Sequence, residues 1–299
     1  MTESAERSRA ARRLSPVWPS AASSVVGVIG DPVGHSLSPL LHNAAFDALG
    51  LDWVSVAFPV AGGRVAEALG GMRAFGIKGL SVTMPHKHDA SLLVDERTTV
   101  AERLGVVNCI TRTVTGQLVG DSTDGAGFLE SLRRGAGFEP TDRRCLVLGA
   151  GGAARAVVVA LADAGALEVV VVNRTLSRAQ EAAELAGRCG RVGTPDDVAQ
   201  AELVVQATPV GMEGVGPDAA SLPIDPAVLH AGQVVADLVY HPLVTPLLAA
   251  ARAQGAETVG GLGMLVHQAA LAIERWTGQR APVEAMWTAV RERAPTTDR

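Results

Sequence analysis

Three polar segments of this chain carry the side chains needed to hold a hydroxylated small molecule and to move a proton. They are Gly30-Asp31-Pro32-Val33-Gly34-His35-Ser36-Leu37-Ser38-Pro39, Ser81-Val82-Thr83-Met84-Pro85-His86-Lys87 and Asp121-Ser122-Thr123-Asp124-Gly125. Together they supply hydroxyls, one ammonium and carboxylates. Each follows a stretch that reads as a β-strand, and ligands of open α/β sheets bind beyond the carboxyl ends of strands. Ser38 before Pro39 also reads as a helix N-cap with proline in the first helical position.

A fourth segment has a different chemistry. Gly149-Ala150-Gly151-Gly152-Ala153-Ala154 follows the buried-strand run Arg144-Cys145-Leu146-Val147-Leu148 and opens a helix. Small residues let a diphosphate approach backbone N–H groups at a helix N-terminus, so strand, turn, helix and second strand in this order predict a dinucleotide site. The second strand ends at Asn173-Arg174-Thr175, with Arg178 shortly after, and has no carboxylate to accept from a ribose 2′-OH. Two guanidinium groups suit a 2′-phosphate instead, which predicts NADP over NAD. The alternative is that both arginines merely decorate the exposed start of a helix.

The elements that must position these groups alternate along the chain. Strands are predicted at 25–29, 53–58, 78–83, 106–112 and 117–120, with helices from Ser38 to about Leu49, at 64–75 and between 87 and 104. A second series has strands at 144–148, 169–173, 203–206, 234–237 and 257–259, with helices at 152–164, 177–186, 244–254, 262–276 and 282–293. Such alternation predicts an α/β fold with mostly parallel sheets, in two domains with a cleft between them.

Composition narrows the functional classes. Of 299 residues, 47% are hydrophobic and 19% charged, a balance that can bury a sizeable core. A net charge of −5 gives no general attraction to nucleic acid or to anionic membranes. No apolar run reaches the roughly 18 residues that would span a bilayer. Cys109, Cys145 and Cys189 are scattered without C-x-x-C spacing, which predicts neither disulfide nor zinc site and fits a reducing cytoplasm. Residues 1–23 read as a disordered tail outside the fold.

These segments, taken with Ala207-Thr208-Pro209-Val210-Gly211-Met212 and Gly261-Leu262-Gly263-Met264-Leu265-Val266-His267-Gln268, resemble the shikimate dehydrogenase family in the family's order over about residues 24–293. The resemblance implies NADPH-dependent reduction of 3-dehydroshikimate to shikimate, in aromatic amino-acid biosynthesis. It implies an N-terminal substrate domain completed by the last helices (24–123 with 260–299) and a Rossmann-like NADP domain (124–259). It makes Lys87 and Asp124 the proton-transfer pair, and chemistry agrees: reducing a ketone leaves an alkoxide that needs a donor within hydrogen-bond reach. It assigns Ser36 and Ser38 to the substrate carboxylate, and Thr83, Asn108, Tyr240 and Gln268 to the ring hydroxyls or the pocket wall. Gly149, Ala150, Gly151, Gly152, Ala153, Asn173, Arg174, Thr175, Arg178, Thr208, Gly261 and Met264 would face the cofactor.

One position departs from the pattern: Ser81 stands where the family often has asparagine, which leaves shikimate against quinate open. His86 and His88 flank Lys87 without further ligands at matching spacing, so they read as solvent-facing loop histidines and no metal is expected. Two rival readings remain: a quinate or quinate/shikimate dehydrogenase, and a catalytically silent NADPH-binding regulator. The partner expected is a small molecule, with the protein a monomer or homodimer.

Overall fold

The computed structural model describes residues 19–212 and 222–293. The tail reading over residues 1–18 lies outside these, but residues 20–23 correct its last part. They form a turn in which Ser23 Oγ donates to Asp52 at 2.5 Å, directly ahead of the first strand.

The first sheet is built from β1 (Ser24–Gly30), β2 (Trp53–Pro59), β3 (Gly79–Val82), β4 (Glu96–Arg97), β5 (Cys109–Arg112) and β6 (Leu118–Asp121), in the order β2-β1-β3-β5-β6-β4. All neighbours run parallel except β5, which is antiparallel to β3 and to β6. Helices α1 (Ser38–Leu49), α2 (Val65–Phe75), α3 (Lys87–Leu93) and α4 (Thr99–Leu104) belong to the same stretch of chain. Successive strand residues point to opposite faces, so the sheet feeds two cores. Ile29, Leu80, Val82, Ile110 and Leu118 pack with Leu69 and Met72 of α2 on one side. Val26 and Cys109 pack with Leu41 and Phe46 of α1 on the other.

The second sheet contains β7 (Arg144–Leu148), β8 (Glu168–Val172), β9 (Gly190–Val192), β10 (Leu203–Gln206), β11 (Val234–Asp237) and β12 (Glu257–Val259). Its order is β12-β11-β10-β7-β8-β9 and every pair is parallel. Counted from β7, this is the doubly wound order 3-2-1-4-5-6, which opens a crevice where the winding reverses, between β7 and β10. Cys145 and Val147 face α6 (Gly152–Asp163) and α7 (Leu176–Glu184), while Leu146 and Leu148 face α8 (Pro246–Ala253).

Two further helices return to the first sheet: α9 (Gly261–Thr277) and α10 (Val283–Arg293). Helix α9 serves both halves. Its Met264 lies in the second sheet's core, whereas Val266, Ala269, Ile273 and Trp276 complete the core under β1 and β5. Trp276 donates its indole N–H to the Ile110 carbonyl at 3.0 Å.

The sequence reading placed no helix between Asp121 and Arg144, yet α5 (Asp124–Ala136) fills that interval. Three glycines among its thirteen residues lower its intrinsic helicity by about 1 kcal/mol each relative to alanine. Tertiary packing overrides that cost: Phe128 and Leu132, one turn apart, are buried in the second sheet's core. The glycines themselves permit close approach. A Cβ on Gly125 would lie 2.7 Å from the Ala156 carbonyl oxygen of α6, and one on Gly127 2.6 Å from the Gln268 amide nitrogen of α9. Helix α5 is therefore wedged between α6 and α9. The short strands β4 and β9 were also unread, and β4 separates α3 from α4 where the sequence suggested helix alone.

Replacing Gly127 with alanine is expected to destabilise the fold by about 1–3 kcal/mol, because both backbones must move apart. A urea unfolding midpoint measures this.

Candidate active site

The two charges of the expected proton-transfer pair sit at helix starts. Lys87 is the first residue of α3, just beyond β3, and Asp124 is the first of α5, just beyond β6. Lys87 Nζ donates to Asp124 Oδ2 at 2.5 Å, with the two side chains only 17% and 7% exposed. The stem of Lys87 also meets the glycine turn: a Cβ on Gly152 would fall 3.7 Å from Lys87 Cδ. The ammonium thus stands where the first sheet's loops meet the start of α6.

The other carboxylate oxygen is held from the first sheet. Asn108 Nδ2 donates to Asp124 Oδ1 at 2.7 Å and to Thr123 Oγ1 at 3.0 Å, and lies 3.5 Å from Gln268 Oε1. In return the Thr123 backbone N–H donates to Asn108 Oδ1 at 2.8 Å. Asn108, Thr123, Asp124 and Gln268 are all buried. Gln268 is itself oriented by donating to the Leu265 carbonyl at 2.8 Å. The structure therefore joins Lys87, Asp124, Asn108 and Gln268 in one hydrogen-bonded group. Thr123, which ties the group together, was quoted in a motif but not singled out from sequence; its position one residue before Asp124 was the available signal.

Around this group lie the loops after β1 and β3. Asp31 N–H donates to the Met84 carbonyl and Thr83 N–H to the Ile29 carbonyl, so the two loops are tied to each other. Ser38 is the first residue of α1 rather than its N-cap, and Leu37 holds the cap position without a side-chain cap bond. It is Ser36 Oγ that accepts the Ser38 backbone N–H, at 3.2 Å. A serine two residues before a helical N–H can reach it, which explains the exchange of roles. Thr83 is half-buried, and Ser81 Oγ is buried without a hydrogen-bond partner.

His86 corrects its sequence reading. It is 1% exposed, and its Nε2 donates to the Val60 carbonyl at 2.6 Å, bracing the loop from below rather than facing solvent. His88 is exposed, as read. Among the described residues no cluster of His, Cys, Asp or Glu could hold a metal ion.

At the crevice between β7 and β10, Gly149 adopts φ +113°, and a Cβ there would lie 3.0 Å from both the Ala207 carbonyl and Thr208 Cγ2. Glycine is the residue that tolerates both constraints. A Cβ on Gly151 would meet nothing within 4 Å, so the turn keeps an open face. Ala150 and Ala153 complete this turn and start of α6. The buried side chain of Gln206, unread from sequence, orders the opposite rim. Its Nε2 donates to the Thr208 and Val210 carbonyls, and its Oε1 accepts from both the N–H and the hydroxyl of Thr208. At the end of β8, Asn173 Nδ2 donates to the Thr175 carbonyl. Arg174 and Arg178 are exposed and, among the described residues, make no hydrogen bond or ion pair. An open turn at the switch point and two uncommitted guanidiniums beside it fit a dinucleotide carrying an extra phosphate.

Gly261 packs so tightly on the Leu238 carbonyl that a Cβ would come within 2.3 Å of its oxygen. Met264 is buried in the second core. Tyr240 is half-buried beyond β11, and burial raises its pKa. Its loop is strapped by Asp237, which accepts from the Thr245 hydroxyl at 2.6 Å and from the Val239 N–H at 3.0 Å.

The family model for the shikimate dehydrogenase substrate binding domain matches residues 28–110, that for shikimate / quinate 5-dehydrogenase residues 134–209, and that for the shikimate 5′-dehydrogenase C-terminal domain residues 261–291. The shikimate dehydrogenase (NADP(+)) of Methanopyrus kandleri is 46% identical over 91% of this chain and 96% of its own length. The crystal structure of shikimate 5-dehydrogenase from Thermus thermophilus with NADP(H) and shikimate is 38% identical, with a TM-score of 0.83 over 90% of this chain and 99% of that one. Quinate dehydrogenase from Corynebacterium glutamicum with NAD has the same TM-score and coverage at 31% identity.

The strap at Asp237 gives a pH test. Burial pushes its pKa from 3.8 up to about 6, against the two hydrogen bonds that pull it down. The native state holds this proton more tightly than the unfolded chain. Its stabilising contribution is therefore complete below about pH 3.8 and is lost as pH rises through about 6. Asp237→Asn should remove that slope, worth about 3 kcal/mol at most. Urea unfolding at pH 4, 5.5 and 7 compares the two proteins.

Proposed function

The chain belongs to the shikimate dehydrogenase family, and on that premise we propose that its cleft reversibly reduces 3-dehydroshikimate to shikimate with NADPH. The observation that carries the reading is the 2.5 Å contact of Lys87 with Asp124, made against Gly152 of the dinucleotide turn. NADPH, when bound, supplies the hydride. The chain's own part is to hold the ketone, to polarise it and to deliver a proton.

In this reading Lys87 directs its ammonium at the carbonyl oxygen and protonates the alkoxide left by reduction. Asp124 orients the ammonium through Oδ2. Asn108 fixes Asp124 through Oδ1 and, with Gln268 and Thr83, turns polar atoms toward the ring hydroxyls. Ser36 and Ser38 take the substrate carboxylate, and Tyr240 forms part of the pocket wall. The backbone of Gly149, Ala150, Gly151, Gly152 and Ala153 cradles the diphosphate at the start of α6. Asn173, Arg174, Thr175 and Arg178 receive the 2′-phosphate end, while Thr208, Gly261 and Met264 line the rest of the cofactor's path.

We read residues 24–123 with 260–299 as the substrate domain and 124–259 as the NADP domain, in a cytoplasmic monomer or homodimer. A silent regulator would have no use for a lysine–aspartate pair kept this close. Quinate is the competing substrate, because Ser81 replaces a longer amide and leaves its hydroxyl unpartnered.

Absorbance at the reduced-nicotinamide band, following shikimate and quinate each with NADP and with NAD, tests the reading. Shikimate with NADP should give the highest kcat/KM. Preference for quinate would replace the substrate, and no turnover with either would overturn the enzyme. Lys87→Ala should lower kcat roughly 10²–10⁴-fold with NADPH affinity nearly unchanged. Arg174→Ala with Arg178→Ala should weaken NADP by about 1.5–3 kcal/mol while sparing NAD, as binding titrations would show.

A further inference from the structure

A second carboxylate stands three residues before Asp124 and takes no part in the contact with Lys87. Asp121, the last residue of β6, is buried and receives donors from separate elements. Thr98 Oγ1, at the cap of α4, donates to Oδ1 at 2.7 Å, and the Ser122 N–H donates to the same oxygen at 2.8 Å. Arg275 Nε of α9 donates to Oδ2 at 2.9 Å. Burial alone would raise this carboxyl, but the bonds from Thr98, Arg275 and Ser122 together hold it below the usual range.

The backbone of the same residue touches the reactive group. The Asp121 carbonyl accepts the Asn108 N–H at 3.1 Å, and Asn108 holds both Thr123 and Asp124. On α9, Arg275 follows Gln268 by two helical turns, so both lie on one face of that helix. One end of this face anchors Asp121, and the other brings Gln268 beside Asn108. The turn Ser122-Thr123-Asp124 is thus pinned before its first residue by the Arg275 ion pair and at its far end by Asn108.

We propose that Asp121 is a positioning residue for the reaction, which sets the place of Asp124 against Lys87 through its ion pair with Arg275. The proposal rests on the reading of Lys87 and Asp124 as the proton-transfer pair. The β-ladder to β5 sets where β6 ends, and the Arg275 guanidinium ties that end to α9. That end fixes the start of α5, and the start of α5 carries Asp124. An asparagine at position 121 keeps an oxygen for Thr98 and Ser122 but offers no charge to Arg275, whose side chain is 54% exposed and swings to water. The turn then loses its charged anchor to α9 while keeping the bonds to Thr98 and Asn108, and a misplacement of about 1 Å near a reacting group costs about 100-fold in rate.

The test uses the full chain with 3-dehydroshikimate and NADPH. Asp121→Asn is expected to lower kcat about 10–100-fold, with KM for NADPH and thermal midpoint little changed. Arg275→Ala, a change at a half-exposed side chain, should reproduce the loss, and Arg275→Lys should recover most of it by keeping a cation at the site. Wild-type kcat in both Asp121→Asn and Arg275→Ala, with Lys87→Ala inactive, overturns the positioning role and leaves the proton-transfer pair standing. A fall in kcat that only mirrors a lower thermal midpoint, without recovery in Arg275→Lys, also overturns it. Full activity in Lys87→Ala would instead remove the premise.

Discussion

An ammonium and a carboxylate held 2.5 Å apart and largely away from water set the terms for the rest of this molecule. Taking two charges out of water costs several kcal/mol each, and mutual attraction repays this only when the geometry is good and the remaining polar atoms are matched. Much of the surrounding structure supplies that match. Asn108 covers the second carboxylate oxygen, Thr123 closes the ring of hydrogen bonds, and Gln268 reaches in from the far end of the chain. An ion pair kept for stability alone would be easy to replace with apolar side chains. This one is instead held by polar partners at the starts of β5 and α5 and on α9, at the edge of the glycine turn.

Helix α5 delivers the carboxylate, and its unusual composition follows from where it must go. It enters between α6, which presents the glycine turn, and α9, which presents Gln268, and both neighbours approach its backbone. Glycines that weaken the helix in isolation let it seat deeply enough for Asp124 to reach Lys87. Phe128 and Leu132 then hold it down in the second core. Local propensity and tertiary packing point in opposite directions here, and packing prevails.

That conflict also explains what could and could not be read from the sequence. Strong periodic signals carried over well: the apolar run at β7, the glycine turn after it, and the proline-started α1 stopped by Gly50 all stand within a residue or so of their expected bounds. The mostly parallel α/β sheets followed from βα alternation, and the family resemblance was borne out by relatives covering nearly the whole chain. What escaped was set by contacts distant in sequence. Helix α5 hid behind its glycines, and His86 looked like a loop residue until Val60 was seen to cover it. Gln206 gave no sign that a buried amide would order the loop after β10. The two-residue β4 exists only because it pairs with β6. Ser38 was legible as a helix start but not as the residue capped by Ser36.

The division of α9 between the two cores has a consequence for the order in which the chain is made. Residues 24–121 leave the ribosome before α9, yet the face of their sheet that α1 covers stays incomplete until Val266, Ile273 and Trp276 emerge some 150 residues later. The second sheet, whose six strands all lie between 144 and 259, can assemble in the meantime beside an unfinished neighbour. The apolar underside around Val26, Cys109 and Phe46 is then the surface a nascent-chain chaperone would find, and translation must reach α9 before it is closed.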